Sequence, residues 1–141
     1  MLALTFQVGP ERLALDVGRI HEVVPRVRLA PAAGGPAWVA GVFVYRGRVV
    51  PVLDLYKFTG AGECPLHLSS RIILVPDPAG GGDLVGLLAT HVADVREVVA
   101  TPAVGAGPIP GLGRVVADGS GVLRILDADH LFATLGPGGG P

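Results

Sequence analysis

The chain has 141 residues, half of them apolar and 5% aromatic, and its net charge is −1. This length suits one domain, and the core must be aliphatic because aromatic side chains are scarce. The charge balance excludes a surface that tracks nucleic-acid phosphates, which would carry a strong positive excess. The single cysteine, Cys64, excludes an internal disulfide and any zinc site built from several cysteines.

The mean hydropathy of +0.56 is high and raises the question of a membrane. The longest apolar run, from Trp38 to Tyr45, has eight residues, whereas a membrane-spanning helix needs about 20. The opening MLALTFQV lacks the basic stretch that begins a signal peptide. We therefore expect a cytoplasmic protein with no spanning segment.

Short apolar runs, separated by Gly, Pro and Asp, follow one another along the chain and predict about ten strands. They lie at 2–8, 12–17, 19–24, in a hairpin within 41–55, and at 71–76, 84–89, 92–99, 112–117 and 121–126. Two short helices are predicted at 54–60 and 127–136, each opening on Asp as N-cap and closing on Gly. Residues 100–111 are interpreted as a loop, 118–121 as a tight turn and 136–141 as a flexible Gly/Pro tail.

The chain also repeats itself. VGRIHEVV (17–24) matches VADVREVV (92–99), and VVPVLDL (49–55) matches VLRILDA (122–128). Two similar β units of about 70 residues are therefore predicted. Because each is too small for a large core of its own, they would pack together and leave a groove for a ligand or peptide.

The hairpin GVFVYRGRVVPVLDL (41–55) places Arg46 and Gly47 at its tip. Gly47 can take the positive φ that the third position of a type II turn requires. Arg46 would then be held ready for a forked contact with a carboxylate or carbonyl, although an arginine at a turn is often only solvated. Pro51 cannot donate to a ladder, so its strand is either at an edge, where a partner can dock, or locally unpaired at Pro51.

Three further residues leave alternatives open. Glu22 and Glu97 occupy equivalent points of the repeat, each inside a β-like run, and point either to a partner or merely to solvent. Trp38, the only tryptophan, is either a plug of the first barrel or a surface anchor.

No catalytic constellation emerges from the residues. The four histidines form no HxH or HxxxH pair, and only Cys64 and His67 could be drawn as a nucleophile and its base. An ordinary loop thiol is the simpler interpretation, with a small hydrolase as the enzymatic alternative. We therefore expect no enzyme activity, no cofactor and no metal.

Five segments together resemble the CheW family. They are FQVGPERLALDVGRIHEVV, WVAGVFVYRGRVVPVLDL, RIILV, VGLLATHVADVREVV and VLRILDADHL. The most specific element is the string that Gly41, Val42, Arg46, Gly47, Pro51, Val52, Asp54 and Leu55 fill here. The resemblance covers residues 4 to 133, nearly the whole chain.

The resemblance implies a mainly β fold of two SH3-like five-stranded barrels packed side by side, with short helices after residues 54 and 127. A single CheW-like domain would cover residues 1–135. Its two subdomains would lie at approximately 15–80 and 81–135, the N-terminal strand joining the second by strand exchange.

The resemblance also implies a non-enzymatic adaptor of bacterial chemosensory arrays, located in the cytoplasm at membrane-associated receptors. Such adaptors couple the cytoplasmic tips of methyl-accepting chemoreceptors to a CheA-type histidine kinase. The kinase's regulatory domain is itself CheW-like and joins the adaptor barrel to barrel, and other CheW-like domains are further expected partners. The implied contact residues are Ile20, Glu22, Gly41, Arg46 and Gly47, and the groove between the barrels would receive the receptor tip.

Three residues depart from the family pattern. Val44 replaces a common Asn, Tyr45 replaces a small or aliphatic residue, and Thr90 replaces a common Asp. Because Val44 and Tyr45 precede Arg46 directly, we include both among the candidate partner-binding residues. They also favour an alternative: a divergent adaptor of a non-motility pathway that binds receptors or other CheW-like domains but not the kinase.

Overall fold

The computed structural model describes residues 1–32, 34, 36–77, 82–100, 112–118 and 121–135. Within them the chain is mainly β, with two sheets and short helices. The strands are β1 (Leu2–Val8), β2 (Glu11–Asp16), β3 (Glu22–Pro25), β4 (Val39–Tyr45), β5 (Arg48–Asp54), β6 (Arg71–Pro76), β7 (Leu84–Ala89), β8 (Val95–Glu97), β9 (Val99–Ala100), β10 (Leu112–Asp118) and β11 (Gly121–Leu126). The helices are α1 (Leu55–Phe58) and α2 (Ala128–Leu135), with a 3-10 turn at Val17–Arg19.

The local sequence signals account for most of these elements. Helices follow residues 54 and 127, as predicted, because aspartates cap their first turns. One Asp54 carboxylate oxygen accepts the Tyr56 N–H at 2.9 Å, and an Asp127 oxygen accepts the His130 N–H at 3.0 Å. Of the loop predicted at 100–111, Ala100 belongs to β9 and the rest lies outside the described residues, as do the centre of the turn at 118–121 and the tail at 136–141.

The strand predicted at 19–24 is wrong in its first half. Asp16 accepts a hydrogen bond from the Gly18 N–H at 2.9 Å and caps a 3-10 turn there. The turn ends at Ile20, and β3 begins only at Glu22. The Val-rich pattern predicted a strand here, because Asp16 and Gly18 are the only local signals of a turn.

The first sheet has the strand order β3-β6-β7-β5-β4, with β5 and β7 parallel. Beyond β3 the chain turns back to β4, where Ala30 and Val42 exchange backbone hydrogen bonds of 2.8 and 2.9 Å. This bridge joins the segment that follows outer strand β3 to the other outer strand, β4, so the sheet closes into a five-stranded barrel.

The second sheet has the order β8-β1-β2-β11-β10-β9, with β2 and β11 parallel. Its outer strands β8 and β9 are consecutive pieces of one chain segment, separated by Val98 alone. The sheet therefore closes on itself as a second five-stranded barrel, and the mainly β fold of two barrels is confirmed.

The two barrels share one strand order after a circular permutation. The sequence β3, β4, β5, α1, β6, β7 corresponds to β8/β9, β10, β11, α2, β1, β2, with the single parallel pair at the same place. Glu22 then matches Glu97, and Asp54 matches Asp127, as the sequence repeat indicates. Strand β7 pairs in the first sheet although it lies after the approximate residue-80 boundary, and the division into folding units stays a prediction.

A continuous apolar core connects the barrels. Strands β6 and β7 are buried on both faces over most of their length, as is the middle of β1. On β1, Leu4, Phe6 and Val8 join the main core, whereas Ala3 faces a smaller cluster inside the second barrel. No helix of the described ranges is long and apolar enough to cross a membrane.

Thr90 marks the crossing from one barrel to the other. Its backbone exchanges hydrogen bonds with Gln7 of β1, at 2.8 and 3.1 Å. Its hydroxyl, which is buried, lies 2.6 Å from the Tyr56 hydroxyl of α1. Thr90, which replaces the common Asp of the family pattern, thus carries a hydroxyl that forms a hydrogen bond within the core instead of a charge.

We expect Thr90→Val to lower the free energy of unfolding by about 1–3 kcal/mol, because it leaves the buried Tyr56 hydroxyl without its partner. Urea denaturation measures the change. Adding Tyr56→Phe should recover most of the loss, since both polar groups are then removed together. A fully additive double variant would contradict this account.

Candidate partner-binding site

The β4–β5 hairpin is closed by a two-residue turn that positions Arg46. Tyr45 pairs with Arg48, and between them Arg46 and Gly47 have φ values of 49° and 80°. Two consecutive positive values define a type I′ turn, so the predicted type II turn is wrong. Type I′ matches the right-handed twist of the flanking strands, which explains the choice.

The turn holds Arg46 in a conformation that side chains other than glycine rarely adopt. The left-handed region costs such a residue about 1–2 kcal/mol, and Asn or Asp are the usual occupants of this position. A non-glycine residue kept there is a recognised mark of functional positions. Gly47 is exposed, and a side chain added to it would meet nothing within 4 Å, so its role here is the positive φ.

Side chains close the seam between β3 and the tip of β4, beyond the Ala30–Val42 bridge. The Tyr45 hydroxyl donates a hydrogen bond of 2.5 Å to Oε1 of Glu22. The His21 ring packs edge-on against Tyr45 at a centroid distance of 6.0 Å. The hydrogen bond to Glu22 is the main cause that raises the pKa of Tyr45, which keeps the hydroxyl protonated and donating.

Arg46 shares the same carboxylate oxygen but is held loosely. Its Nη2 lies 3.3 Å from Oε1 of Glu22, and its guanidinium carbon lies 5.1 Å from the centre of the Tyr45 ring. The Arg46 side chain is 73% exposed and that of Glu22 is 39% exposed. The predicted contact residues Glu22, Tyr45 and Arg46 thus form one cluster, with a guanidinium directed to solvent.

Val44 adds an apolar surface beside this cluster. It lies opposite Val49 across the hairpin, so the two side chains share a face. They are 68% and 69% exposed. The next cross-strand pair on that face, Val42 and Pro51, is half-buried. The hairpin therefore presents an apolar outer face next to an exposed cation.

The other predicted contact residues lie against the core. Ile20 is half-buried and packs on the main core. Gly41 is buried at a β-bulge with φ 153°, where an added Cβ would lie 2.5 Å from the Ala30 carbonyl oxygen. That close approach explains why glycine stands at position 41. Direct partner contacts of Ile20 and Gly41 stay predictions, as does the groove between the barrels.

The sequence did not predict two features of this site, the contact between Tyr45 and Glu22 and the exposed pair of Val44 and Val49. Nothing in the sequence paired Tyr45 with Glu22, which are 23 positions apart. The exposed Val44–Val49 pair did have a signal, because a two-residue turn at Arg46-Gly47 places these residues opposite each other.

Cys64 and His67 do not form a catalytic pair. The Cys64 thiol is buried, and desolvation, followed by the nearby Asp54 carboxylate, raises its pKa to about 11. The His67 ring is exposed, bonds Ser69 through Nδ1 and stacks on His91 at 5.1 Å. A thiol kept protonated is a poor nucleophile, and in the described part of the chain no hydrogen bond joins it to His67. The hydrolase alternative loses its only supporting feature.

Trp38 is half-buried and packs against the main core, with its ring edge-on to Phe58 at 5.9 Å. Its indole nitrogen is buried. These contacts match the interpretation of Trp38 as a plug of the first barrel.

Comparisons with known proteins agree on the family. The model of the CheW-like domain matches residues 2–135. The chemotaxis protein CheW of Treponema pallidum is 29% identical over 141 aligned positions, covering 93% of this chain and 81% of that protein. The protein FrzA of Myxococcus xanthus is 31% identical over 93 positions, covering 66% of this chain and 56% of its own.

A solved structure shows the same fold. The scaffolding protein TtCheW from Thermoanaerobacter tengcongensis matches with a TM-score of 0.79 and 25% sequence identity. The match covers 93% of this chain and 86% of that one.

We expect Glu22→Gln to lower the pKa of Tyr45 toward the usual value of about 10, because the charged acceptor is lost. The pKa is raised in the folded protein, so the stability that this bond contributes is present below pH about 10 and is lost as pH rises through the raised value. Tyrosine Cζ chemical shifts followed against pH measure it. An unchanged Tyr45 titration in the variant would contradict the hydrogen bond.

We expect Gly41→Ala to lower the free energy of unfolding by about 1–3 kcal/mol, because its Cβ would collide with the Ala30 carbonyl. Denaturation in urea, compared with Gly18→Ala as the control, measures the effect. At Gly18 an added Cβ meets only Asp16, at 3.4 Å. Equal stabilities of the two variants would show that position 41 does not need glycine for packing.

Proposed function

The chain belongs to the CheW family of chemotaxis-type signalling adaptors, and we propose that it couples methyl-accepting chemoreceptors to a CheA-type histidine kinase. The observation that carries the proposal is the hairpin tip. Arg46 stands there in an unfavourable backbone conformation, and its side chain is 73% exposed. Its strain is understandable if the guanidinium contacts a partner.

The two barrels suit a bridging role. Each partner would use its own surface: the kinase's CheW-like regulatory domain would join barrel to barrel, and the receptor tip would enter the groove between the barrels. The protein would then reside in the cytoplasm at membrane-associated receptor arrays. Because the CheW family consists of adaptors, membership also supports a function without catalysis, in which the protein acts by binding its partners.

A second candidate is favoured by two residues on the hairpin. Tyr45 engages Glu22 at 2.5 Å, and Val44 presents an exposed apolar side chain. Both depart from the family pattern at the tip that partners would contact. A divergent adaptor that binds receptors or other CheW-like domains but no kinase would account for these changes.

Binding to receptor-containing membranes and to the cognate kinase's regulatory domain, measured separately, tests the proposal. We expect the wild type to bind both and Arg46→Glu to weaken the kinase contact at least tenfold, because a carboxylate replaces the exposed cation. Arg28→Glu, at an exposed arginine outside the hairpin, is the matched control and should bind normally.

A second variant separates binding from folding. Arg46→Asn should keep or raise the free energy of unfolding by up to about 1 kcal/mol, because Asn-Gly is favoured in type I′ turns. It should nevertheless lose the contact. Wild type that recruits neither partner, or Arg46 variants that bind and control the kinase normally, would refute the proposal. Receptor binding without kinase binding would establish the second candidate instead.

A further inference from the structure

Two donors compete for one carboxylate oxygen at the hairpin tip. The Tyr45 hydroxyl reaches Oε1 of Glu22 at 2.5 Å, while Arg46 stands 3.3 Å from the same atom. A bond of 2.5 Å to a charged acceptor is among the stronger hydrogen bonds in proteins, and 3.3 Å is long for one. Tyr45 therefore has the larger share of this oxygen.

From this competition we propose that Tyr45 is a positioning residue that keeps Arg46 available to a partner. The hydroxyl donates the shorter hydrogen bond to Oε1 of Glu22, so the guanidinium makes only a long contact with that carboxylate. The Tyr45 ring meanwhile supports the guanidinium from below at 5.1 Å. Arg46 then keeps most of its N–H donors directed to solvent, and the strained turn fixes where they point.

The surroundings define what the guanidinium binds. Its neighbours on the hairpin are the exposed Val44 and Val49. A complementary surface therefore carries a carboxylate next to an apolar side chain, the first for the fork of Arg46 and the second for the valines.

The occupant we assign is the CheW-like barrel of the kinase's regulatory domain, which rests on the function proposed above. Val49, Pro51 and Leu53 lie at every second position of β5 and therefore share one face of the strand. At Leu53 and its neighbour Leu87 this face is buried, and β1 of the chain's own second barrel lies against β7. The exposed valines thus continue a sheet face that already packs on a barrel.

The test is a cycle of four proteins: wild type, Tyr45→Phe, Glu22→Gln and the double variant. Phenylalanine keeps the ring under Arg46 and removes only the hydroxyl. Without the hydroxyl Glu22 binds Arg46 instead, and affinity for the regulatory domain should fall about two- to fivefold, the strength of an exposed ion pair. In the Glu22→Gln background, Tyr45→Phe should have no effect, because no carboxylate remains to capture Arg46.

Tyr56→Phe is the matched control, since it removes the hydroxyl of the only other tyrosine. It should reduce stability through the Thr90 contact and leave affinity unchanged. An unaltered affinity of Tyr45→Phe, or a loss of equal size in both Glu22 backgrounds, would overturn the positioning role. The second result would mean that Tyr45 acts by packing or by touching the partner itself.

A measurement on the free protein keeps the inference separate from the proposed function. Relaxation of the ¹⁵N nucleus at Arg46 Nε should show a more ordered guanidinium in Tyr45→Phe than in wild type. The difference should vanish in the Glu22→Gln background. If wild type binds no regulatory domain, the proposed function fails, yet the relaxation result still decides whether Tyr45 releases Arg46. Equal order in wild type and Tyr45→Phe would overturn the inference.

Discussion

The second barrel is complete only because the N-terminal hairpin, β1 and β2, joins strands from the other end of the chain. Strands β1 and β2 pair with β8 and β11, which closes a sheet that the C-terminal part alone would leave open. Leu4 and Phe6 of β1 also enter the core shared with the first barrel. Removing this hairpin would expose apolar surface on both sides, because its side chains belong to the core that both barrels share.

The tip of the first barrel's β4–β5 hairpin lies outside this shared core, with Val44, Arg46 and Val49 exposed. Among the described residues, the backbone pairing on the open side of β4 is the single Ala30–Val42 bridge. The remaining seam is joined by Tyr45 and Glu22. A contact made by side chains can be weakened or redirected by single substitutions without loss of the barrel. The side chains at the tip can therefore change while the barrel is retained.

Local chemistry in the sequence predicted the parts of the fold that depend on near neighbours. Asp54 and Asp127 indicated where both helices begin, because an N-cap side chain bonds a backbone N–H only two or three residues further along the chain. The bounds of β6 and β7 followed from runs too apolar to be anything but buried strands. The 3-10 turn after Asp16 was predicted as a strand because only Asp16 and Gly18 signal it. The turn type at Arg46 was wrong because Val-rich alternation does not reveal a positive φ at a residue other than glycine.

The candidate site was predictable in its members but not in its mechanism. The resemblance pointed to Glu22 and Arg46, and the departures drew attention to Tyr45 and Val44. Closure of the barrel brings together segments that are distant in sequence. It places Tyr45 within hydrogen-bond distance of Glu22 and the Ala30 carbonyl so close to Gly41 that a side chain there would collide with it. The interplay of hydroxyl, carboxylate and guanidinium emerges only in three dimensions.

The most direct test of the central claim is an amide NMR titration of this protein with the regulatory domain of the CheA-type kinase proposed as its partner. The account predicts saturable chemical-shift changes that cluster on residues 42–50 and on residues 20–22 across the seam. Changes confined to the loop at 61–70 or to the second barrel, with the hairpin undisturbed, would contradict it.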